Sequence, residues 1–146
     1  MGKRSKSREL ALQFLFQHDF ARGTGKTSHE KFWNMLNADD HVREFADELI
    51  EGTLDELEVI DPVITKATKN WSISRMEPID RNVLRIAVYE LMFRKETPFK
   101  VVINEAVELA KKFGTPESKA FVNGVLDKVV KNLSREKKTG ENKTDS

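Results

Sequence analysis

The chain contains no cysteine, which excludes disulfides and thiolate metal sites. No apolar run reaches the length needed to span a bilayer. The amino end is basic, but no signal-peptide apolar block follows it. Apolar residues alternate there with Gln13, Gln17 and Asp19 at helical spacing. A cytoplasmic protein without membrane attachment is the expectation. There is no glycine-rich phosphate loop and no serine elbow. His18, His29 and His41 follow neither His-Glu-x-x-His spacing nor the Glu-x-x-His repeats of a di-iron bundle. His18 lies beside an apolar stripe, where a satisfied boundary residue belongs. His29 and His41 stand near helix starts and read as solvated. Carboxylates are plentiful, as they are on most helical surfaces. These absences point away from an enzyme and imply no metal and no cofactor.

With 146 residues, the chain has room for one ordinary domain with a real core. The net charge is only +1, but a nucleic-acid binder needs local rather than overall positive charge. Lys3, Arg4, Lys6 and Arg8 precede any acid, the first being Glu9, while acids concentrate between Glu44 and Asp61. One end can attract phosphate while another surface repels it.

The patterning predicts helices throughout, an all-α fold of about seven helices in two packed small bundles that meet near Trp71. The first covers about 5–21, with Leu10, Phe14, Leu15, His18 and Ala21 on one stripe. Glycines at 23 and 25 end it. A short helix over 28–36 is capped by Ser28 and turns Phe32 and Met35 or Leu36 inward. Asp39 or Asp40 caps a long third helix with Val42, Phe45, Ala46, Leu49, Ile50, Thr53, Leu54 and Leu57 buried. Asp61-Pro62 reads as a cap followed by proline at the first helical position.

Ser74 and Glu77 have capping-box spacing ahead of a helix that begins near Pro78 and carries Ile79, Val83, Ile86, Ala87, Glu90 and Leu91. A sixth helix carries Val102, Ile103, Ala106, Val107, Leu109 and Ala110. Gly114-Thr115-Pro116 closes it and opens a seventh with Phe121, Val122, Val125, Leu126, Val129 and Leu133 inside. The domain is expected over 1–133, and the charged stretch 134–146 is expected to be a disordered polar tail.

Three constellations offer binding chemistry. The basic start is either a solubilising end or an arm that meets phosphates and releases counterions. Arg4 and Arg8 are four apart and share a face if the helix extends back that far. The turn at Thr115, Glu117, Ser118, Lys119 and Phe121 is either capping plus a core aromatic or an RNA contact. In the second reading backbone N–H groups, Ser118 and Lys119 meet the RNA backbone and Phe121 stacks on a base. The helix with Asp80, Arg81, Tyr89 and Glu90 is either a solvated face of mixed charge or a partner surface. On residue chemistry alone the blander member of each pair is favoured.

Four ordered blocks add to this reading. Lys3-Arg-Ser-Lys-Ser-Arg-Glu-Leu-Ala-Leu-Gln13 is a basic run leading into an Arg-Glu pair. Asp80-Arg-Asn-Val-Leu-Arg-Ile-Ala-Val-Tyr-Glu-Leu91 is a central helix. Asn104-Glu-Ala106 and Phe121-Val-Asn-Gly-Val-Leu-Asp-Lys128 complete the set. Together they resemble the NusB family of bacterial transcription antitermination factors, from about residue 3 to 133. The resemblance implies an all-helical, non-enzymatic protein that binds the boxA element of ribosomal RNA leader transcripts. It also implies a heterodimer with NusE, the small-subunit ribosomal protein, within a complex on RNA polymerase with other Nus factors. It places RNA contacts at Lys3, Arg4, Lys6 and Arg8 and again at Glu117, Ser118 and Phe121, with a NusE contact at Asp80.

The chain departs from the family pattern at several of these positions. Lysines 3 and 6 stand where arginines are common and lack the bidentate fork. Phe16 replaces a frequent tyrosine, and Lys119-Ala120 replaces a more usual His-Lys pair. Two other readings are an accessory domain assisting an RNA methyltransferase and a helical protein–protein adaptor without RNA binding. The first is disfavoured by the lack of a methyltransferase portion. The second requires an inert arm.

Overall fold

Six α-helices account for nearly all of the residues described by the computed structural model, 2–20 and 39–144. They are α1 (Lys3–Phe20), α2 (Asp40–Asp55), α3 (Leu57–Ala67), α4 (Pro78–Phe93), α5 (Phe99–Phe113) and α6 (Ser118–Thr144), with a 3-10 turn at Ile73–Arg75. The helix expected over 28–36 lies outside the described residues, as do His29 and the glycine stop.

The long α2 forms as its spacing predicts as far as Asp55, but Leu57, expected on the same stripe, opens the next helix. The Asp39 carboxylate accepts the His41 N–H at 2.8 Å, satisfying one of the orphan donors at a helix start. Val42, Phe45, Ala46, Leu49, Ile50 and Thr53 are buried along one face. One residue, Glu56, then separates α2 from α3. The expected start at Asp61-Pro62 is wrong: α3 begins at Leu57 and Pro62 lies inside it. The Glu56 carbonyl accepts the N–H groups of Val59 and Ile60 at 3.0 and 2.8 Å. Ile60 and Ile64 are completely buried, and their transfer from water outweighs the backbone donor that proline removes.

The Ser74–Glu77 capping box does not form either. The Ser74 hydroxyl bonds that of Ser72 at 2.9 Å, and α4 opens at Pro78 with no side-chain cap. At the carboxyl end of α5, Gly114 has an ordinary negative φ of −94°, so left-handed freedom is not what the site requires. Space is: a Cβ there would sit 2.4 Å from Ser118 Oγ and 2.8 Å from the Ala110 carbonyl.

The organising element is α4, which packs against every other helix. Residues 82–88 of it are all buried. The closest pairings besides are α1 with α2 and α5 with α6. The two small bundles therefore share α4 and one continuous core, and the seam is α4 rather than Trp71, which keeps 46% of its surface exposed. Past Leu133, where the sequence reading ends the domain, α6 continues to Thr144. Residues such as Arg135, Glu136 and the lysines after them are good helix formers, and Glu136 pairs with Lys66 of α3 at 3.1 Å.

Candidate nucleic-acid interface

An enclosed helix must pair its polar side chains internally, because an unpartnered buried charge is costly. Asn82, Arg85 and Glu90 of α4 are all buried, and each has a partner on a neighbouring helix. Glu90 accepts two hydrogen bonds from Arg8 of α1, both 2.8 Å. Glu105 of α5 lies 3.3 Å from the same guanidinium. Burial alone would lower the Arg8 pKa, but the bond and charge of Glu90, with Glu105, raise it overall. The expectation that Arg8 meets RNA phosphate is therefore corrected. Its side chain is only 4% exposed and ties α1 to α4 and α5.

The rest of the arm is different. Arg4 is exposed and lies over the Phe45 ring at 4.5 Å, with Arg8 behind it at 5.7 Å. The two arginines share a face as their spacing predicts, one outside and one inside. Lys3 pairs with Asp39 at 3.5 Å and Lys6 with Glu9 at 3.7 Å, and both lysines are mostly exposed. Such exposed pairs contribute little, about 0–1 kcal/mol, so phosphate can displace them. Lys112 of α5 also reaches Glu9. It stands two residues before Gly114, so it links the arm to the turn that opens α6. A cleft of about 700 Å³ between α1 and α5, lined by Ser5, Lys6, Glu9, Glu105 and Lys112 among others, runs along this connection.

At the α6 turn, Glu117 and Lys119 are exposed but Ser118 is fully buried. The Ser118 hydroxyl accepts the Thr115 N–H at 2.9 Å and lies 3.2 Å from the Thr115 hydroxyl. It serves the start of the helix and faces Asp80, so it is not open to an RNA backbone. Phe121 is half-buried, packs on the core and meets Trp71 edge-to-face with ring centroids 5.4 Å apart. Phe16, by contrast, meets Phe20 at 4.9 Å.

The expected partner surface is dispersed. Asp80 is buried rather than solvent-facing, because α6 covers it with Ser118. Burial raises its pKa, Ser118 acts in the opposite direction, and Glu77 adds to the rise. Its Oδ1 has no hydrogen-bond partner. Arg81 is engaged with Asp19 of α1 at 2.7 Å and with the Met76 carbonyl at 3.3 Å. Asp19 also accepts from Asn82 at 3.0 Å and lies 3.6 Å from Arg85, which pairs with Asp61 through two bonds of 2.9 Å. Burial alone would raise the Asp19 pKa, but Arg81, Asn82 and Arg85 together hold it below the usual value.

Tyr89 is nine positions after Asp80, about half a rotation away round α4 at 3.6 residues per turn. It stacks on the exposed Phe93 at 5.6 Å and lies against Gly52 of α2, where a Cβ would fall 2.2 Å from its ring. Asp80, Arg81 and Tyr89 thus form no single patch. Sequence reading missed Asp19, Arg85 and Glu90 as a paired interior network. Uninterrupted burial of α4 is the signal, and single-sequence periodicity does not reveal it.

Among the described residues no helix is long and apolar enough to cross a membrane, and no group of three or more ligating side chains is placed to hold a metal ion.

A sequence profile described as NusB family matches residues 5–131. The transcription antitermination protein NusB of Geobacter sulfurreducens is 47% identical over 134 residues, covering 91% of this chain and 97% of that protein. The structure of T. maritima NusB superimposes with a TM-score of 0.79 at 39% identity, covering 88% of this chain and 90% of that one. A crystal structure of antitermination factors NusB and NusE in complex with dsRNA gives 0.77 at 30% identity, covering 89% and 97%.

Proposed function

This chain belongs to the NusB family, and we propose that it acts in transcription antitermination by binding boxA RNA of ribosomal leader transcripts as a heterodimer with NusE. The pair then joins the complex on RNA polymerase with other Nus factors. The reading is of a cytoplasmic binding factor and not of an enzyme.

One observation carries it. Lys3, Arg4 and Lys6 project outward from the first turns of α1, held by exposed contacts that a polyanion can replace. Lys112 extends this positive edge across α5 towards Glu117, Lys119 and Phe121. A single RNA strand laid along that edge meets cations first and an aromatic at its end. Arg8 contributes by holding α1 against Glu90, so that the arm starts from a fixed helix. On the NusE side, Tyr89 and Phe93 offer the accessible aromatic surface of α4. Asp80 lies behind it, covered by α6, and Arg81 fixes α4 against α1.

Filter binding of a boxA RNA oligonucleotide, with and without NusE, tests the reading. Binding that tightens when NusE is added is expected. A folded chain that binds neither the RNA nor NusE would remove it, and NusE binding without any RNA binding would leave the adaptor reading in its place.

A further inference from the structure

Trp71 takes no part in the core: it keeps 46% of its surface exposed, unusual for the largest apolar side chain. It follows a helix end of unusual backbone. The Asn70 N–H donates to the Thr65 carbonyl at 2.8 Å, closing α3. Lys69 and Asn70 both have positive φ, 56° and 68°. Two consecutive non-glycine residues in this region cost conformational energy, and such positions concentrate where a side chain must be presented.

The indole is then held by the edge-to-face contact with Phe121 at 5.4 Å, so less side-chain freedom remains to be lost when a ligand arrives. Cations stand close to it in the chain and beside Phe121, with Glu77 and Glu117 as the exposed acids of the same stretches. Lys69, Arg75 and Lys119 are exposed and form no ion pair among the described residues. A flat aromatic surface flanked by unpaired cations fits a nucleobase with its phosphates.

We propose that Trp71 is the nucleobase-stacking residue of this chain, with Phe121 as the ring that positions it. This rests on the RNA-binding reading above and moves the stacking role from Phe121, which packs on the core, to its more exposed neighbour. The base belongs to a single strand, since a paired base offers no face to an indole.

The test uses the full chain with NusE and a boxA RNA oligonucleotide. Trp33→Phe leaves Trp71 as the sole tryptophan, so its fluorescence reports on one ring. RNA should quench it, NusE alone should not, and an oligonucleotide with abasic sites in place of bases should lose the quenching. In the otherwise unaltered chain, Trp71→Leu should weaken RNA binding by about 5- to 100-fold, with an unchanged thermal melt. Trp71→Phe should restore most of the affinity.

Unchanged affinity in folded Trp71→Leu, or no quenching by RNA that binds, overturns the assignment while leaving the RNA reading intact. Quenching by NusE alone, or equally by the abasic oligonucleotide, overturns it too, making Trp71 a protein contact or a bystander to phosphate binding. Failure of the wild-type chain to bind the RNA with NusE overturns both.

Discussion

Arg8 shows how one residue changes meaning between sequence and structure. In the sequence it closes a run of four cations; in the fold its guanidinium is spent on Glu90 and Glu105. Removing it leaves a buried carboxylate without its partner, so Arg8→Ala should destabilise the fold by about 3–5 kcal/mol in chemical denaturation. A double variant, Arg8→Met with Glu90→Leu, should recover much of that loss. If Arg8→Ala instead melts like wild type and loses RNA affinity, Arg8 is an RNA contact after all.

Asp19 and Asp80 make opposite predictions about pH. The Asp19 pKa is depressed, so its stabilisation is present above the ordinary carboxylate range and is lost as pH falls through the folded-state value. The Asp80 pKa is raised, so its contribution is fullest below the ordinary value and declines as pH rises through the folded one. Thermal melts across pH should show Asp19→Asn less sensitive to acid than wild type. Asp80→Asn should match or exceed wild-type stability at neutral pH. The reverse pattern would mean the two environments are misassigned. The same burial makes Asp80→Lys a poor probe of NusE binding, since it would force a cation into the α4–α6 contact.

Elements were legible in proportion to how one-sided they are. The stripes of α2 and α5 appear in the sequence as they appear in the fold, since each has one face in and one face out. The surroundings of α4 were not legible. Burial of the whole 82–88 stretch, with Glu90 just beyond it, makes Asn82, Arg85 and Glu90 look like a solvated face until their partners on other helices are known. The start of α3 was missed because Asp61-Pro62 is a good local signal that the burial of Ile60 and Ile64 overrides. At the α5–α6 turn the glycine was found, but for its backbone rather than for the space it leaves beside Ser118. Gly114→Ala tests the difference. It pushes a methyl into Ser118 and the Ala110 carbonyl and should cost about 1–3 kcal/mol, read as a lowered melting temperature. Ser118→Gly should relieve part of that loss, and a neutral Gly114→Ala would show that the turn relaxes freely.

Across the whole molecule, internal ion pairs and surface cations divide the work. Arg8, Arg81 and Arg85 are consumed in joining α1, α3 and α5 to α4. Lys3, Arg4 and Lys6 remain outside on α1, and Lys112 carries the same charge across α5. A net charge near neutrality therefore coexists with one positive edge, and that edge is where RNA is proposed to lie. The family blocks mark where the arm lies along the chain. Which of its cations face outward depends on Glu90 and Glu105, roughly eighty to a hundred residues away in sequence, and no local pattern carries that.

The most direct test of the RNA interface is the salt dependence of boxA RNA binding with NusE present, for wild type and for the triple variant Lys3→Ala, Arg4→Ala, Lys6→Ala. Each lost phosphate contact on a single strand removes about 0.7 from the slope of log affinity against log salt, so the triple variant should be shallower by up to about two. Its melting temperature should stay close to that of wild type. A folded triple variant with the wild-type slope would contradict the positive edge as the site where RNA is held.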